Sequence, residues 1–384
     1  MNDKQMSVNV AFIGTVGVPN LYGGFEMFLE SCAPRLRKSY NKVFVTCDRG
    51  RYKDMNPDWE GVQRVFIPVS ANGALSVLHD LLAFFAVLWR VQVIIVLGVS
   101  GGLFFPLFRA LCALTGKRLI VNVDGVEWRR AKFSRSRRWF LYASDRLAQL
   151  FSHDVIVDNE ALRPFLARSV QQRAVLIAYP GDHVLADSYQ KVASKNALEC
   201  LTICRIEPEN NCHLLIEAFA LARHGRYVFI GNWNASAYGR SLRERYAGVP
   251  GLEMRDPVYD KKVLADLRGN CDVYLHGHSV GGTNPSLVEM LFYDCTILAF
   301  DCAFNRSTAG EAIEYFSGVD TLAAAIASAT RHTHFDRRAV RARYAAAEVC
   351  DAYVRLISHG RTPELAPDAA EQTTAVSERP RKYR

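Results

Sequence analysis

Short runs of apolar residues alternate with longer helix-like stretches along most of the chain. The runs VNVAFIG, KVFVTC, VQVIIVLG, RLIVNVD, DVIVD and AVLIAY form a first set that ends near residue 180, and CLTICR, RYVFIGN, CDVYLHG and TILAFD form a second set that begins near residue 198. Nearly continuous Val, Ile and Leu runs separated by helices are typical of parallel strands covered on both faces. The pattern predicts an α/β protein with two doubly wound, Rossmann-like domains that face each other across a cleft.

The polar stretch DSYQKVASKNA separates the two sets of predicted strands. We place the first domain at residues 1–185 and the second at residues 196–358, with the last helix as a candidate to pack back on the first domain. Residues 359–384 contain few apolar residues and several prolines, which predicts a disordered tail. Doubly wound sheets bind ligands at the carboxyl ends of their strands, so the cleft is the expected site.

One stretch, ALSVLHDLLAFFAVLWRVQVIIVLGV, is apolar enough to suggest a membrane span. Arg90 and Gln92 interrupt it and leave about nine apolar residues after Asp80, where a span needs about twenty. A buried helix that leads into a buried strand explains the stretch better. The sequence therefore predicts no transmembrane helix.

Composition and charge narrow the class of protein. The chain has 384 residues, of which 49% are hydrophobic, and this suffices for two ordinary domains. Its net charge of +8 fits binding to phosphates, anionic lipid or nucleic acid, but no nucleic-acid motif accompanies it, so we expect no nucleic-acid partner. The ten cysteines lack metal-site spacing and no secretory leader is visible, which favours a reduced cytoplasmic chain.

Two adjacent glycines, Gly23 and Gly24, lie between the first predicted strand and the first predicted helix in the motif YGGFE. Glycine there costs conformational entropy, which suggests a sharp bend or a close approach to another group. The free N–H groups at the start of a helix favour an anion such as a phosphate. A tight connection without a ligand is the alternative interpretation.

A second motif, HGHSVGGTNPSLVEM, follows the predicted strand CDVYL and opens a helix. Asn284 is a good N-cap and Pro285 suits the first helical position, so we expect the amides of Ser286 and Leu287 to point free into the cleft. Those amides would hold a phosphate.

Charged residues and glycines near both motifs suit a nucleotide ligand. Gly281 and Gly282 would allow a bulky ligand to approach the backbone, and Glu289, about one turn inside the helix, would accept hydrogen bonds from a ribose diol. In the stretch CRIEPENNCHLLIEAFA, Arg205 ends a strand at the expected cleft, where its guanidinium can clamp a diphosphate. A surface glutamate on a well-capped helix and a solvated arginine are the alternative interpretations.

The order of these motifs resembles the nucleotide-sugar glycosyltransferases of the GT-B fold. More narrowly, YGGFE, NVDGVEWRR, RIEPENN and GHSVGGTNPSLVEM are similar to the bacterial rhamnosyltransferase-type subfamily, over roughly residues 8 to 355. That resemblance implies retaining transfer of rhamnose or another 6-deoxyhexose from a nucleoside diphosphate to a polyprenyl-linked saccharide. It also implies a role in capsule, exopolysaccharide or O-antigen synthesis, with the nucleotide sugar as substrate and no cofactor.

The resemblance assigns roles to individual residues. Gly23 and Gly24 match the glycines that approach the donor diphosphate, Arg205 matches the arginine that neutralises it, and Glu289 matches the glutamate that binds the ribose. The rest of the expected donor site is the loop and helix start after the strand CDVYL, namely His278, Gly281, Gly282, Thr283, Asn284, Ser286 and Leu287.

Two positions depart from the broader family. Asn210 stands where a lysine is usual, and Gly281 stands where a second glutamate usually contacts the transferred sugar. Both departures resemble the narrower subfamily and imply a donor sugar that is held differently. His278 is a candidate replacement for the missing glutamate, with an ordinary loop histidine as the alternative.

The chain shows no clear metal site. His276 and His278 are two residues apart at a strand end and are expected to point to opposite sides, which disfavours a shared metal. No Asp-x-Asp pair is present, so Arg205 and helix amides would carry the charge of the diphosphate. We therefore expect a metal-independent reaction.

The stretch NVDGVEWRRAKFSRSRRW follows a strand of the first domain and lies on the expected acceptor side. Asp124, together with Glu127, is a candidate catalytic residue that would orient or deprotonate an acceptor hydroxyl, and capping of the next turn is the alternative for Asp124. The basic and aromatic residues at 128–140 suit peripheral contact with the anionic inner face of the bacterial plasma membrane, and equally a solvated basic helix face.

The sequence is also compatible with two other functions. A nucleotide-sugar 2-epimerase uses a similar two-domain cleft and needs no acceptor. A non-catalytic nucleotide-sugar-binding subunit would not need Arg205 and Glu289. The donor base, the acceptor, the linkage and the oligomeric state are not specified by the sequence.

Overall fold

The structure of the protein is a computed structural model that describes residues 6–21, 23–123, 125–129, 133–186, 188–190, 197–329 and 335–359. It contains an eight-stranded sheet and a six-stranded sheet, each flanked by helices. The predicted α/β architecture with two doubly wound domains is confirmed. The predicted tail, apart from its first residue, lies outside the described residues.

The first sheet has the strand order β3-β4-β2-β1-β5-β6-β7-β8 and is parallel except where β3 meets β4. Its strands are β1 (Met6–Ile13), β2 (Tyr40–Asp48), β3 (Asp58–Trp59), β4 (Val62–Ile67), β5 (Val93–Leu97), β6 (Arg118–Asn122), β7 (Asp154–Val157) and β8 (Val175–Leu176). The helices of this domain are α1 (Gly24–Ser39), α2 (Ser76–Leu88), α3 (Phe105–Leu114), α4 (Arg135–Phe151) and α5 (Arg168–Gln171).

The second sheet is parallel throughout, with the order β11-β10-β9-β12-β13-β14. Its strands are β9 (Glu199–Ile203), β10 (Arg226–Ile230), β11 (Leu252–Arg255), β12 (Val273–His276), β13 (Thr296–Phe300) and β14 (Glu314–Phe316). The remaining helices are α6 (Cys212–Ala222), α7 (Ala237–Arg245), α8 (Lys261–Gly269), α9 (Pro285–Met290), α10 (Ala303–Ala309), α11 (Val319–Ser328), α12 (Arg338–Arg343) and α13 (Ala346–His359).

Strand β1 shows why the sheet carries a core on each face. Phe12 contributes to the core beneath α1 and α13, whereas Ala11 and Ile13 contribute to the core beneath α2, α3 and α4. Successive side chains of a strand point to opposite faces, so a run of apolar residues supplies both cores. Helices α2, α3 and α4 therefore form one layer on one side of the first sheet.

Helix α2 differs in part from the sequence-based expectation. Strand β5 is buried along its whole length, as expected, but α2 buries only one side. Its Leu82, Phe85 and neighbouring Trp89 are exposed, because α2 lies in the outermost layer and no described element covers its outer side. Among the residues that the structure describes, none of the helices has both the length and the apolar character needed to cross a membrane.

Helix α13 leaves the second domain and packs on the first. The Tyr353 ring stacks on Phe28 of α1 with centroids 4.9 Å apart, and its hydroxyl accepts a hydrogen bond from the side-chain amide of Asn122 at 3.2 Å. The guanidinium of Arg118 donates to the carbonyl of Leu356 at 2.8 Å. The chain thus crosses between the two domains twice, once after the first domain and once before α13.

The two crossings lie side by side. The amide of Gly181 donates to the carbonyl of Tyr344 at 2.8 Å, and the amide of Ala346 donates to the carboxylate of Asp182 at 3.0 Å. Any opening of the cleft must therefore bend both connections at nearly the same place.

Candidate functional site

The carboxyl ends of the two sheets face each other, and the two glycine motifs meet there. A Cβ atom added to Gly24 would lie 3.3 Å from Cγ of Pro285, so the start of α1 touches the start of α9. Neither Gly23 nor Gly24 has a positive φ, so the backbone conformation does not require glycine. The need for glycine at position 24 comes from the close approach to the second domain.

The glutamate of the same motif has a supporting role. Glu26 is buried, and its carboxylate accepts a hydrogen bond from the amide of Val16 at 2.8 Å. This bond ties the loop after β1 to the first turn of α1. The contact fixes the position of the two glycines, which the sequence alone does not reveal.

The loop after β12 packs against the first domain through glycines on both sides. A Cβ atom at Gly125 would lie 3.1 Å from the amide nitrogen of Gly282 and 3.2 Å from Cα of Gly281. A Cβ atom at Gly282 would lie only 2.2 Å from Oδ1 of Asp158, a distance that real side chains do not adopt. In the described arrangement these glycines allow the two domains to touch, and the cleft is closed at this point.

Hydrogen bonds reinforce that contact. The hydroxyl of Thr283 donates to the carbonyl of Asp158. The side-chain amide of Asn159 lies 3.3 Å from that hydroxyl and donates to the carbonyl of Phe304 at 3.1 Å. Thr283 is buried, so its role in this arrangement is to hold the two domains together.

The start of α9 corrects one prediction. Asn284 is the N-cap as expected, and its side-chain oxygen accepts hydrogen bonds from the Ser286 amide at 3.2 Å and the Ser286 hydroxyl at 2.8 Å. The amide of Leu287 donates to the carbonyl of Asn284 at 3.1 Å. The expectation that both amides are free is wrong, because the cap residue itself satisfies them.

Glu289 is mostly buried rather than on the surface. Its side chain is 12% exposed, as is that of Arg268 from α8, and the two form an ion pair. Nε2 of His183 lies 3.3 Å from the other carboxylate oxygen. Burial by itself raises the pKa of Glu289, but the charge of Arg268 and the hydrogen bond from His183 outweigh it and hold the pKa below its ordinary value.

Arg205 lies two residues beyond the end of β9, close to where the sequence predicts, and it is exposed. The carbonyl of Arg205 accepts hydrogen bonds from the side-chain amide of Asn210 at 2.7 Å and from the amide of Glu207 at 3.0 Å. Asn210 is buried. The residue that replaces the usual lysine therefore fixes the backbone of the arginine loop.

The two histidines of the donor loop correct a second prediction. The rings of His276 and His278 stack with centroids 4.4 Å apart and an angle of 17° between their planes. The expectation that they point to opposite sides is wrong, because only successive residues of an extended chain alternate, and residues two apart lie on the same side. Within the described ranges, no group of three or more His, Cys, Asp or Glu side chains is placed to hold a metal ion.

His276 gives a prediction about acid stability. It is buried, neither ring nitrogen has a hydrogen-bond partner, and burial lowers its pKa to about 3. Because an unfolded histidine titrates near pH 6.5, the unfolded state binds the extra proton as the pH falls below that value. We expect the free energy of unfolding to fall by up to about 1.4 kcal/mol per pH unit between about pH 6.5 and pH 3 from this group.

Urea denaturation at a series of pH values measures this effect. The variant His276→Phe, which keeps a flat ring without a titrating group, should show a shallower loss of stability with acid than the wild type. His224→Phe, at an exposed position, is the matched control and should keep the wild-type slope. Equal slopes for all three proteins would contradict the assignment.

The acceptor-side candidates are only partly placed. Glu127 is half-buried at the start of a short 3₁₀ turn, and its amide donates to the carbonyl of Gly125 at 2.7 Å, which puts it beside the contact between the domains. Asp124 lies outside the described residues, as do Arg130 and Lys132.

The basic and aromatic stretch divides into two kinds of residue. Trp128 is half-buried and donates to the carboxylate of Asp145 at 3.2 Å, and Arg137 lies over the Phe133 ring at 4.2 Å. Arg135, Arg138 and the Trp139 ring are exposed on the first turns of α4. Part of this stretch is thus structural and part faces outward.

Sequence reasoning missed His183, Arg268 and Asp158. His183 lies in a 3₁₀ turn at the end of the first domain, and Arg268 lies on α8, where it resembles an ordinary surface arginine. Their importance comes from contacts with residues far along the chain, for which no local motif gives a signal.

Two facing parallel-sheet domains with a site between them define the GT-B fold, and comparison with solved structures supports this class. The chain is similar to sucrose-phosphate synthase from Thermosynechococcus elongatus, with 12% identity over 91% of this chain and 98% of that one and a TM-score of 0.73. It is also similar to a glycosyltransferase from Rickettsia africae ESF-5, with 11% identity, coverage of 92% and 98%, and a TM-score of 0.65. The predicted GT-B fold is confirmed.

A third structure and a family model add detail. The lipopolysaccharide outer core galactosyltransferase WaaB matches with 12% identity, coverage of 91% of this chain and 99% of that one, and a TM-score of 0.58. A family model described as "Domain of unknown function (DUF1972)" matches residues 7–182. No curated protein matches the sequence. Identities this low establish the fold, and the rhamnosyltransferase-type subfamily stays a prediction.

Proposed function

We propose that this protein is a glycosyltransferase that moves a sugar from a nucleoside diphosphate to a hydroxyl group of a saccharide. The observation that carries the proposal is the meeting of the two glycine motifs at the carboxyl ends of both sheets, where Gly24 touches Pro285 in a GT-B fold. Arg205 and Glu289 lie on the second-domain side of the same cleft. A nucleotide sugar bound there has its diphosphate between the domains.

Each donor-site residue has a distinct role in this proposal. The carboxylate of Glu289 accepts hydrogen bonds from the ribose diol, and its low pKa keeps it ionised at neutral pH. The guanidinium of Arg205 binds the diphosphate, whose negative charge grows as the bond to the sugar breaks. Gly23 and Gly24 let the first domain approach that diphosphate.

We further propose a 6-deoxyhexose such as rhamnose as the transferred sugar, with retention at the anomeric carbon, and a lipid-linked saccharide of bacterial surface polysaccharide synthesis as the acceptor. Gly281 stands where a glutamate usually contacts the sugar, and the His278 ring on the same loop is the candidate replacement. Asp124 or Glu127 would orient the acceptor hydroxyl.

A ligand screen followed by a product assay tests the reaction. Thermal unfolding with a panel of nucleotide sugars should identify one that raises the unfolding temperature, because a ligand of the folded state stabilises it by mass action. That donor, incubated with a saccharide acceptor, should give a glycosylated product and a free nucleoside diphosphate. An isomerised nucleotide sugar formed without any acceptor would instead indicate an epimerase, and stabilisation without any product would indicate a binding subunit.

We also propose that the reaction needs no divalent metal. Arg205 is a cation two residues beyond the end of β9, and the sequence lacks an Asp-x-Asp pair. We expect wild-type turnover to change by less than about twofold on addition of EDTA, since an arginine stabilises a leaving diphosphate without a metal. Strong inhibition that magnesium or manganese reverses would overturn this part of the proposal.

A further inference from the structure

Helix α2 and its flanking residues present a continuous apolar stripe to the outside. Large apolar side chains recur every three or four residues, and all are exposed: Leu75, Leu78, Leu82, Phe85 and Trp89. This spacing places them on one side of the helix. The stripe extends over about 21 Å, since a helix rises about 1.5 Å per residue.

The neighbouring helices continue this surface. Phe84 of α2 stacks on Phe108 of α3 with ring centroids 3.9 Å apart, and α2, α3 and α4 share one core beneath them. Exposed on the outer side of α3 and α4 and their ends are Leu103, Leu107, Leu114, Trp139, Tyr142, Leu150 and Phe151. We call these twelve side chains, from Leu75 to Phe151, the apolar face.

The apolar face is exceptional within this molecule. It holds twelve of the nineteen large apolar side chains that are exposed in the described structure, although the segment from Leu75 to Phe151 is about a fifth of the chain. Trp89 is 75% exposed and Leu114 is 83% exposed. Scattered exposed apolar residues are ordinary, but so many on one layer of helices mark an interaction surface.

Charge identifies the kind of partner. Residues 71–153 contain eleven Lys and Arg but four Asp and Glu, a net charge of +7 against +8 for the whole chain. Two of those acids, Asp80 and Asp145, are buried. Arg90, Arg135 and Arg138 are exposed beside the apolar side chains.

We propose that the apolar face docks on an anionic lipid bilayer, with its Leu, Phe and Trp side chains in the boundary between head groups and acyl chains. Helices that combine Trp, Phe and Leu with arginines and lack exposed acids are suited to this interface. A second copy of the chain fits less well, because a symmetric contact would bring the same arginines together.

The position of this surface also relates it to the cleft. The N-terminal ends of α3 and α4 follow the carboxyl ends of β5 and β6, so Leu103 and Arg135 lie at the cleft end of the layer. Docking would therefore place the acceptor side of the cleft near the lipid. Docking itself does not depend on the reaction, whereas its use for a lipid-linked acceptor rests on the proposed function.

Vesicle co-sedimentation of the full chain, without any nucleotide sugar, tests the proposal. The wild type should bind vesicles that contain about a quarter phosphatidylglycerol more tightly than vesicles of phosphatidylcholine alone. A stripe variant combines Leu78→Ser, Leu82→Ser, Phe85→Ser and Trp89→Ser. It should bind the anionic vesicles roughly tenfold or more weakly than the wild type, since each apolar group buried in the bilayer contributes to the binding free energy.

A matched control removes exposed apolar side chains from the second domain, through Leu221→Ser, Tyr259→Ser and Val263→Ser, and should bind as the wild type does. Equal binding by the stripe variant and the wild type would overturn the proposal and leave only the salt-sensitive attraction of the arginines. A wild-type dimer in solution that the stripe variant abolishes, with no vesicle binding by either, would assign the face to self-association. None of these results depends on glycosyl transfer, so they leave the proposed reaction to its own assay.

Discussion

The variant Arg205→Ala is expected to turn over about 10²–10³-fold more slowly than the wild type, with a much smaller change in donor affinity. The exposed guanidinium lies at the carboxyl end of β9, on a loop whose backbone is held by the buried Asn210. A fixed cation at this position interacts more strongly with the departing diphosphate than with the bound donor, because the negative charge grows as the glycosidic bond breaks.

Steady-state kinetics and calorimetry together measure this prediction. Arg205→Lys keeps the charge but loses the two-pronged geometry of the guanidinium, so it should fall between the wild type and Arg205→Ala. Arg223→Ala, at the opposite end of α6, is the matched control and should be indistinguishable from the wild type. A parallel loss of affinity and turnover would show that Arg205 serves binding alone.

The variant Glu289→Ala is expected to lose both stability and donor affinity. Glu289 and Arg268 are each 12% exposed and form an ion pair, so removal of the carboxylate leaves a mostly buried guanidinium without this partner. Loss of one member of a buried pair typically costs about 3–5 kcal/mol of folding free energy. From the sequence alone this variant is expected to keep an intact fold, and the buried pair changes that expectation.

A double variant separates the two effects. Glu289→Met combined with Arg268→Met removes both charges, and such replacements are often close to neutral for stability. We expect urea denaturation to show recovery of most of the lost stability, whereas calorimetry should still show weak donor binding. Donor affinity equal to that of the wild type in this folded double variant would mean that Glu289 does not bind the ribose.

The strand pattern was sufficient to predict the fold. Parallel strands such as β5 are buried on both faces, so their sequences are unbroken runs of apolar residues. Few other structural elements require such runs. The direction in which α2 faces was not predictable in the same way. An apolar helix such as α2 has the same sequence signature whether another element or the surroundings cover its outer side.

The candidate site was predictable in position but not in its contacts. The motifs placed Gly24, Arg205 and Glu289 at the carboxyl ends of strands, which the topology of a doubly wound sheet brings together. The pairing of Glu289 with Arg268 and His183 depends on the packing of three separate segments. The use of the Ser286 amide by Asn284, in contrast, follows from the N-cap assignment, because an N-cap side chain accepts a hydrogen bond from the second or third helical amide.

The return of α13 to the first domain has a consequence for synthesis on the ribosome. Phe12 and Phe28 become fully covered only when Tyr353 packs on them, and Tyr353 is translated more than three hundred residues later. Part of the core of the first domain therefore stays exposed until the second domain has been synthesised. A fragment limited to residues 7–182 would expose that core permanently, so we expect it to aggregate, and co-expression of the remaining chain should rescue it.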